Sequence, residues 1–157
     1  MLDDDLRAFC LDLMASSGDV AVATIDADGL PQARVMFNAR NRDRFPALVP
    51  LFKGHDRDFL IYLGTNTSSP KIRQLRADPS IAVLFADPPR YHSLMLSGRA
   101  EIVEDPAVKK ALWQEGWEIY YPGGPDDPDY TVIRLRPVKG KGWRAGAAFE
   151  FAVDAGR

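Results

Sequence analysis

The sequence predicts a mainly β fold, a closed or nearly closed antiparallel barrel of six or seven strands with a few α-helices packed outside it. Short segments rich in valine, isoleucine and alanine recur along the chain, and most are joined by turn chemistry, with only a few helical stretches between them. The composition is 46% apolar over 157 residues, enough for one substantial core. No internal repeat and no linker divides the chain, so residues 1–157 are read as a single domain.

The elements follow in order. Leu6, Phe9, Cys10, Leu13 and Met14 recur at three and four residues, which predicts an amphipathic helix that starts at the acidic Asp3 to Asp5 and ends near Ser16-Ser17-Gly18. Asp19 to Ile25 and Gln32 to Phe37 flank Asp28-Gly29 and read as a β-hairpin. Between Ala39 and Asp58, Arg40, Arg42 and Arg44 make a basic loop, and Phe45, Leu48, Val49, Leu51 and Phe52 are spaced to line a short helix, against which Pro46 and Pro50 count. Phe59 to Leu63 is the next strand, then a helix over Ile72 to Ala77 that Asp78-Pro79 ends. Strands follow at Ile81 to Ala86 and Ser93 to Val103. Asp105-Pro106 then opens a helix expected to carry Leu112, Trp113 and Trp117 to about Tyr120. After a loop rich in glycine, proline and aspartate, strands are expected at Tyr130 to Arg136 and Lys139 to Arg144, with a weaker one in the tail.

Charge and composition narrow the function. A net charge of -2 offers no general attraction to nucleic acid or to anionic membranes. One cysteine, Cys10, excludes a disulfide framework and a thiolate metal cluster, and points to a reducing, cytoplasmic setting. An acidic start and the lack of any apolar run near the roughly 20 residues of a membrane helix predict a soluble chain. His55 and His92 have no second histidine or cysteine at metal-ligand spacing, so no metal site is expected. The sequence lacks a Gly-x-Ser-x-Gly elbow, a Walker loop and a dinucleotide glycine fingerprint. Chemistry would therefore come from a bound cofactor.

One stretch suggests where. Thr65-Asn66-Thr67-Ser68-Ser69-Pro70-Lys71 links a strand to a helix, with Ser69 at the N-cap position and Pro70 in the first turn. Unpaired N–H groups, hydroxyls and an ammonium then converge as a phosphate site would require. An ordinary capped helix with a solvated lysine fits the same spacing.

The order of motifs resembles the FMN-binding split-barrel family that includes pyridoxamine 5'-phosphate oxidase, and within it the smaller general stress proteins. The resemblance rests on Gly29-Leu30-Pro31-Gln32-Ala33-Arg34-Val35-Met36, on Ile61-Tyr62-Leu63-Gly64-Thr65 running to Lys71, and on Gln74 to Val83. It continues through Ser97 to Val103 and Tyr121 to Asp129 to Lys141-Gly142-Trp143, about residues 15–145 in all. It implies an antiparallel split barrel that forms a homodimer, with FMN, or FAD as the alternative, at the subunit interface. By resemblance Arg34 and Lys71 pair with the phosphate, Thr65 and Ser69 donate hydroxyl hydrogen bonds, and Pro70 lies in the phosphate turn. Val35 and Met36 present backbone to the ring edge, and Tyr62, Leu63 and Gly64 wall the isoalloxazine. Ser93, preceded by His92, occupies a position often held by glutamine, and Trp143 resembles an aromatic that reaches the flavin from the partner subunit.

Each residue also has a structural reading. Arg34 can be a solvated strand residue, Trp143 and His92 structural packing, and Trp113, Trp117, Tyr120 and Tyr121 core or dimer interface. Asp126, Asp127 and Asp129 lack the distal glutamate of a calcium loop and read as a solvated turn. The family implies a flavoprotein moving hydride or electrons between a reduced nicotinamide and a small acceptor, or a non-enzymatic flavin-binding, stress-associated protein. Pro70 stands where the true oxidases carry arginine, and no arginine and histidine clamp for pyridoxal phosphate follows Trp143. A haem or deazaflavin occupant is the remaining reading, with His55 or His92 the imidazoles for a haem.

Overall fold

The computed structural model describes residues 2–154. Eight antiparallel strands form one strongly curled sheet that does not close on itself. They are β1 (Val20–Ile25), β2 (Pro31–Met36), β3 (Ile61–Asn66), β4 (Ser80–Asp87), β5 (His92–Val103), β6 (Tyr130–Leu135), β7 (Lys139–Arg144) and β8 (Ala147–Ala152). Three α-helices flank them, α1 (Asp4–Ser16), α2 (Pro70–Ala77) and α3 (Pro106–Leu112), with 3-10 turns between. The expected split barrel is present, with the tail segment as its eighth strand.

The strand order is β2-β1-β4-β5-β6-β3, and β7 adds to β5 and to β8. β5 makes this possible by changing partners midway, pairing with β7 over Ser93 to Ser97 and with β6 over Ala100 to Val103. Gly98 stands at the changeover, where an added Cβ would lie 3.2 Å from the Arg136 carbonyl oxygen and 3.3 Å from Pro137 Cα. The strand can therefore bend under the β6–β7 connection without a side chain in the way. β2 and β3 are left as the two ends of the path, and the gap between them is the split.

The curled inner face holds the main core. Val20, Val22, Ile81, Val83, Phe85, Leu94 and Leu96 alternate inward along their strands, and Cys10, Leu13 and Met14 of α1 cover them. Asp3 caps α1 by accepting from the Leu6 N–H at 2.7 Å. A second cluster beneath the split gathers Phe45, Leu48, Phe52, Leu112, Tyr121, Tyr130 and Val132.

Two element boundaries differ from the sequence expectation, each for a local reason. β3 starts at Ile61 and runs to Asn66, because Phe59 sits in the left-handed region at φ 50° with its ring fully buried. Thr65 and Asn66 are thereby strand residues. α3 ends at Leu112, where Trp113 leaves helical geometry at ψ 137°, and Trp117 lies in a separate 3-10 turn that starts after Gly116 at φ 92°. Trp113 and Trp117 are consequently not on one helical stripe.

Candidate functional site

A cavity of about 270 Å³ opens at the split, between the ends of the two unpaired edge strands. Val35, Met36 and Phe37 at the end of β2 form one wall, and Gly64, Thr65 and Asn66 at the end of β3 form the other. Lys71 of α2 closes one end. Trp117, Tyr120 and Tyr121 from the loop after α3 supply an aromatic side, with Trp117 stacked on Phe37 at 6.2 Å between ring centroids. Gly64 matters here because a Cβ would meet the Trp117 ring at 3.5 Å.

The polar end is built by alternation and by the start of α2. β1 and β2 pair so that Val22 faces Arg34, which turns Arg34 toward the inner side of the sheet. Its guanidinium donates to Thr24 Oγ1 at 2.7 Å, to the Val22 carbonyl at 3.3 Å and to Gln74 Oε1 at 3.2 Å. Lys71 Nζ donates to Thr65 Oγ1 at 2.9 Å. Burial lowers the pKa of both cations, and the nearby Arg34 charge lowers that of Lys71 further. Among the described residues neither cation has a carboxylate partner.

Ser69 holds the N-cap position of α2, yet its side chain makes no capping hydrogen bond. Its Oγ is buried with no partner at all. A buried hydroxyl without a partner costs free energy, which makes this atom a candidate donor to a ligand acceptor. The turn itself is pinned by the residue that leads into β6, the strand paired with β3. Asp129 accepts from Asn66 Nδ2 and from the Ser68 N–H, each at 2.8 Å, and its carbonyl accepts from the Thr67 N–H at 2.7 Å. These bonds hold the Asp129 carboxyl below the usual aspartate range.

The site residues expected from the sequence divide into two groups in one protomer. Arg34, Thr65, Ser69 and Lys71 gather at the polar end, while Val35, Met36 and Gly64 line the slot. Leu63 packs its side chain into the core at 1% exposure and can offer only backbone. Tyr62 lies on the second core cluster, 6.1 Å from the Phe52 ring, and Pro70 is the exposed first residue of α2. His92 packs edge-on against Phe9 at 5.1 Å. Ser93 and Trp143 pair across β5 and β7 and line a different, 520 Å³ cleft on the outer face of the sheet.

Sequence reasoning did not find Thr24, Gln74 or Asp129 as site residues. Gln74 had a signal: it lies three residues after Lys71, on the same face of α2. Thr24 is a lone hydroxyl at an inward position of β1.

The family model for pyridoxamine 5'-phosphate oxidase matches residues 6–144. This chain belongs to that family. Among solved structures, a protein of Clostridium acetobutylicum related to general stress protein 26 of Bacillus subtilis, of the pyridoxinephosphate oxidase family, is 31% identical. It covers 97% of both chains with a TM-score of 0.78. General stress protein 26 of Bacillus anthracis is 18% identical over 93% of this chain and 98% of its own, with a TM-score of 0.68. A heme binding protein of Mycobacterium smegmatis is 20% identical over 95% of this chain and 59% of its own, with a TM-score of 0.65. The last two show the fold alone. No curated protein matches this member of the oxidase family.

Proposed function

We propose that this member of the pyridoxamine 5'-phosphate oxidase family binds FMN and acts as a homodimeric flavoprotein, passing hydride or electrons from a reduced nicotinamide to a small acceptor. One observation carries the reading: Lys71, with Arg34 and the orphaned Ser69 hydroxyl close behind it and no carboxylate on either cation, ends a slot lined mostly by apolar and aromatic residues, its one carboxylate, Asp19, being engaged with Arg44 at 2.6 Å. FMN has matching ends, a dianionic phosphate and a flat apolar ring. A bound flavin supplies the redox chemistry at its N5, and the protein supplies position and electrostatics. Arg34, Lys71, Thr65 and Ser69 hold the phosphate, the Val35–Met36 backbone meets the ring edge, and Trp117 bounds the acceptor space. Neither His55, whose Nδ1 lies 2.9 Å from the Asp58 carboxylate, nor His92 lines this slot, which favours flavin over haem.

Dimerisation is supported by what one protomer lacks. At about 270 Å³ the slot falls just short of the roughly 300–1,000 Å³ of complete small-molecule pockets. The outer sheet face carries a directly paired row, Val35, Ala21, Leu84 and Met95, with Trp143 one pair away, and Val35 is 70% and Leu84 38% exposed. This apolar row, which borders the slot through Val35 and runs on into Lys141 and Glu150, is suited to a second copy, which would bring its own Trp143 toward the flavin.

No helix among the described residues is long and apolar enough to cross a membrane. Cys10 is a buried free thiol with its pKa pushed up to about 12 by burial, an inert state that fits a cytoplasmic protein.

The decisive experiment is a visible spectrum of the purified protein followed by titration of the apoprotein with FMN, FAD and riboflavin. Flavin bands near roughly 370 and 450 nm, FMN much tighter than riboflavin, and oxidation of reduced nicotinamide with quinone or nitro acceptors are expected. Full flavin loading without turnover would instead support a flavin carrier. A colourless protein that takes up no flavin would overturn the reading.

A further inference from the structure

We propose that Gln74, acting with Thr24, is a positioning residue that aims the Arg34 guanidinium at the ligand phosphate while leaving its positive charge unneutralised. The inference rests on the anion site proposed above and concerns how that site keeps its charge.

The geometry is a closed triangle of the Arg34 guanidinium and two neutral groups. The Thr24 hydroxyl accepts from Arg34 at 2.7 Å and donates its own proton to Gln74 Oε1 at 2.6 Å. Gln74 Oε1 also accepts from the second guanidinium nitrogen at 3.2 Å. Two donors converge on one amide oxygen, so the amide must turn its oxygen and not its NH₂ to Arg34. Thr24 is only 1% exposed and Gln74 is anchored by α2, so the acceptors are rigid and sit on one side of the guanidinium. That leaves the remaining N–H directions for a ligand. Because Thr24 lies two positions along β1 from Val22, whose carbonyl also accepts from Arg34, three neutral acceptors hold one cation.

What is missing is as telling as what is present. The chain has 22 acidic residues against 20 lysines and arginines, and among the described residues eight other basic side chains, Arg134 and Arg144 among them, meet a carboxylate, while others do not, such as Arg40, which is held by the Leu60 and His55 carbonyls. A partly buried arginine is ordinarily matched by one. Here the position that a glutamate would fill holds its neutral isostere, next to a second unmatched cation on the same helix. An acid at residue 74 would form an ion pair with Arg34 and compete with a phosphate for the same charge.

The test compares apoprotein titrations with FMN and with riboflavin, which lacks the phosphate, for the wild type, Gln74→Glu and Gln74→Met. Thermal melts of each apoprotein confirm folding. In Gln74→Glu, FMN should bind about tenfold or more weakly, riboflavin should be unchanged, and the apoprotein should melt no lower than the wild type. Gln74→Met, which loses the acceptor without adding charge, should weaken FMN less than Gln74→Glu does, again without touching riboflavin. Equal weakening of both ligands would mean a structural role only and would overturn the proposal. So would a Gln74→Glu variant that keeps the wild-type preference for FMN, and in that case the phosphate site itself would stand. A wild type that does not distinguish FMN from riboflavin would remove the anion site and this inference together.

Discussion

Arg34 lies close enough to Lys71, at the end of the cavity, for its charge to lower the Lys71 pKa, and each is held by a threonine hydroxyl, Thr24 Oγ1 at 2.7 Å and Thr65 Oγ1 at 2.9 Å. Arg34 comes with β2 and Lys71 with the start of α2 after β3. Like charges brought close without an acid between them destabilise the empty fold, and a bound anion reverses the sign of that contribution.

Removing either cation should expose this directly. Arg34→Ala or Lys71→Ala should weaken FMN by roughly 1.5 to 3 kcal/mol, the scale of a charge-assisted hydrogen bond. Riboflavin affinity should stay near the wild-type value. Equal losses for both ligands, measured by fluorescence titration, would put the phosphate elsewhere.

The pH dependence has a definite sign. Burial, then Arg34, lowers the Lys71 pKa in the folded protein from the ordinary 10.5. Between the folded and the unfolded value the unfolded chain binds more protons at this group, so its contribution to apoprotein stability improves as pH rises. FMN needs the protonated ammonium, so its affinity should fall as pH rises, beginning below 10.5. In Lys71→Arg that decline should shift to higher pH. Titrations across the alkaline range of wild type and variant check both statements.

Asp129 should prove important without touching the ligand. It ties Asn66 and the Ser68 N–H to the start of β6. Asp129→Ala should loosen the Thr65–Lys71 turn and weaken FMN by about tenfold, while the global unfolding midpoint changes less than for a core substitution. Isothermal titration and urea denaturation of the same variant separate the two.

The dimer has its own test. Glutamate at Leu84 or Met95, neighbours across β4 and β5 on the outer face, would place charge in the centre of the apolar row. Light scattering should then report a monomer, with FMN binding lost or much weakened if, as proposed, both protomers build the slot. A variant that stays dimeric with full affinity would move the interface off this face.

β7 carries a stability prediction independent of any ligand. A Cβ on Gly142 would lie inside van der Waals contact of the Ser93 carbonyl oxygen and 2.6 Å from Phe149 Cζ. Gly142→Ala should therefore cost about 3 kcal/mol or more, seen as a lower denaturation midpoint.

The strand and helix content was legible in the sequence wherever local chemistry sets it. The β1–β2 hairpin follows from Asp28-Gly29, whose glycine adopts φ 79°, with Asp26 accepting from the Asp28 and Leu30 N–H groups. The Ser69-Pro70 helix start and the Lys139 to Arg144 strand lie where the residues place them. β3 was misplaced by two residues at its start because Phe59 is apolar enough to pass for strand, and only its tertiary burial forces the left-handed turn. The helix expected to run through Trp117 stops at Leu112, where Trp113 turns to extended ψ, and Trp117 follows Gly116 in a turn of its own.

By itself the sequence determined a curled antiparallel sheet, a helix opening on a hydroxyl-rich turn beside Lys71, and a chain without metal-ligand spacing. These depend on residues a few positions apart, over which alternation, turn chemistry and capping act. Only the tertiary structure decided that Arg34 meets Gln74, forty positions away, rather than an acid, that the Ser69 hydroxyl is left without a partner, and that Trp143 faces outward from the slot of its own protomer. Partnering of charges and burial of polar atoms are set by long-range strand register and by how the sheet curls, and no local pattern carries that information.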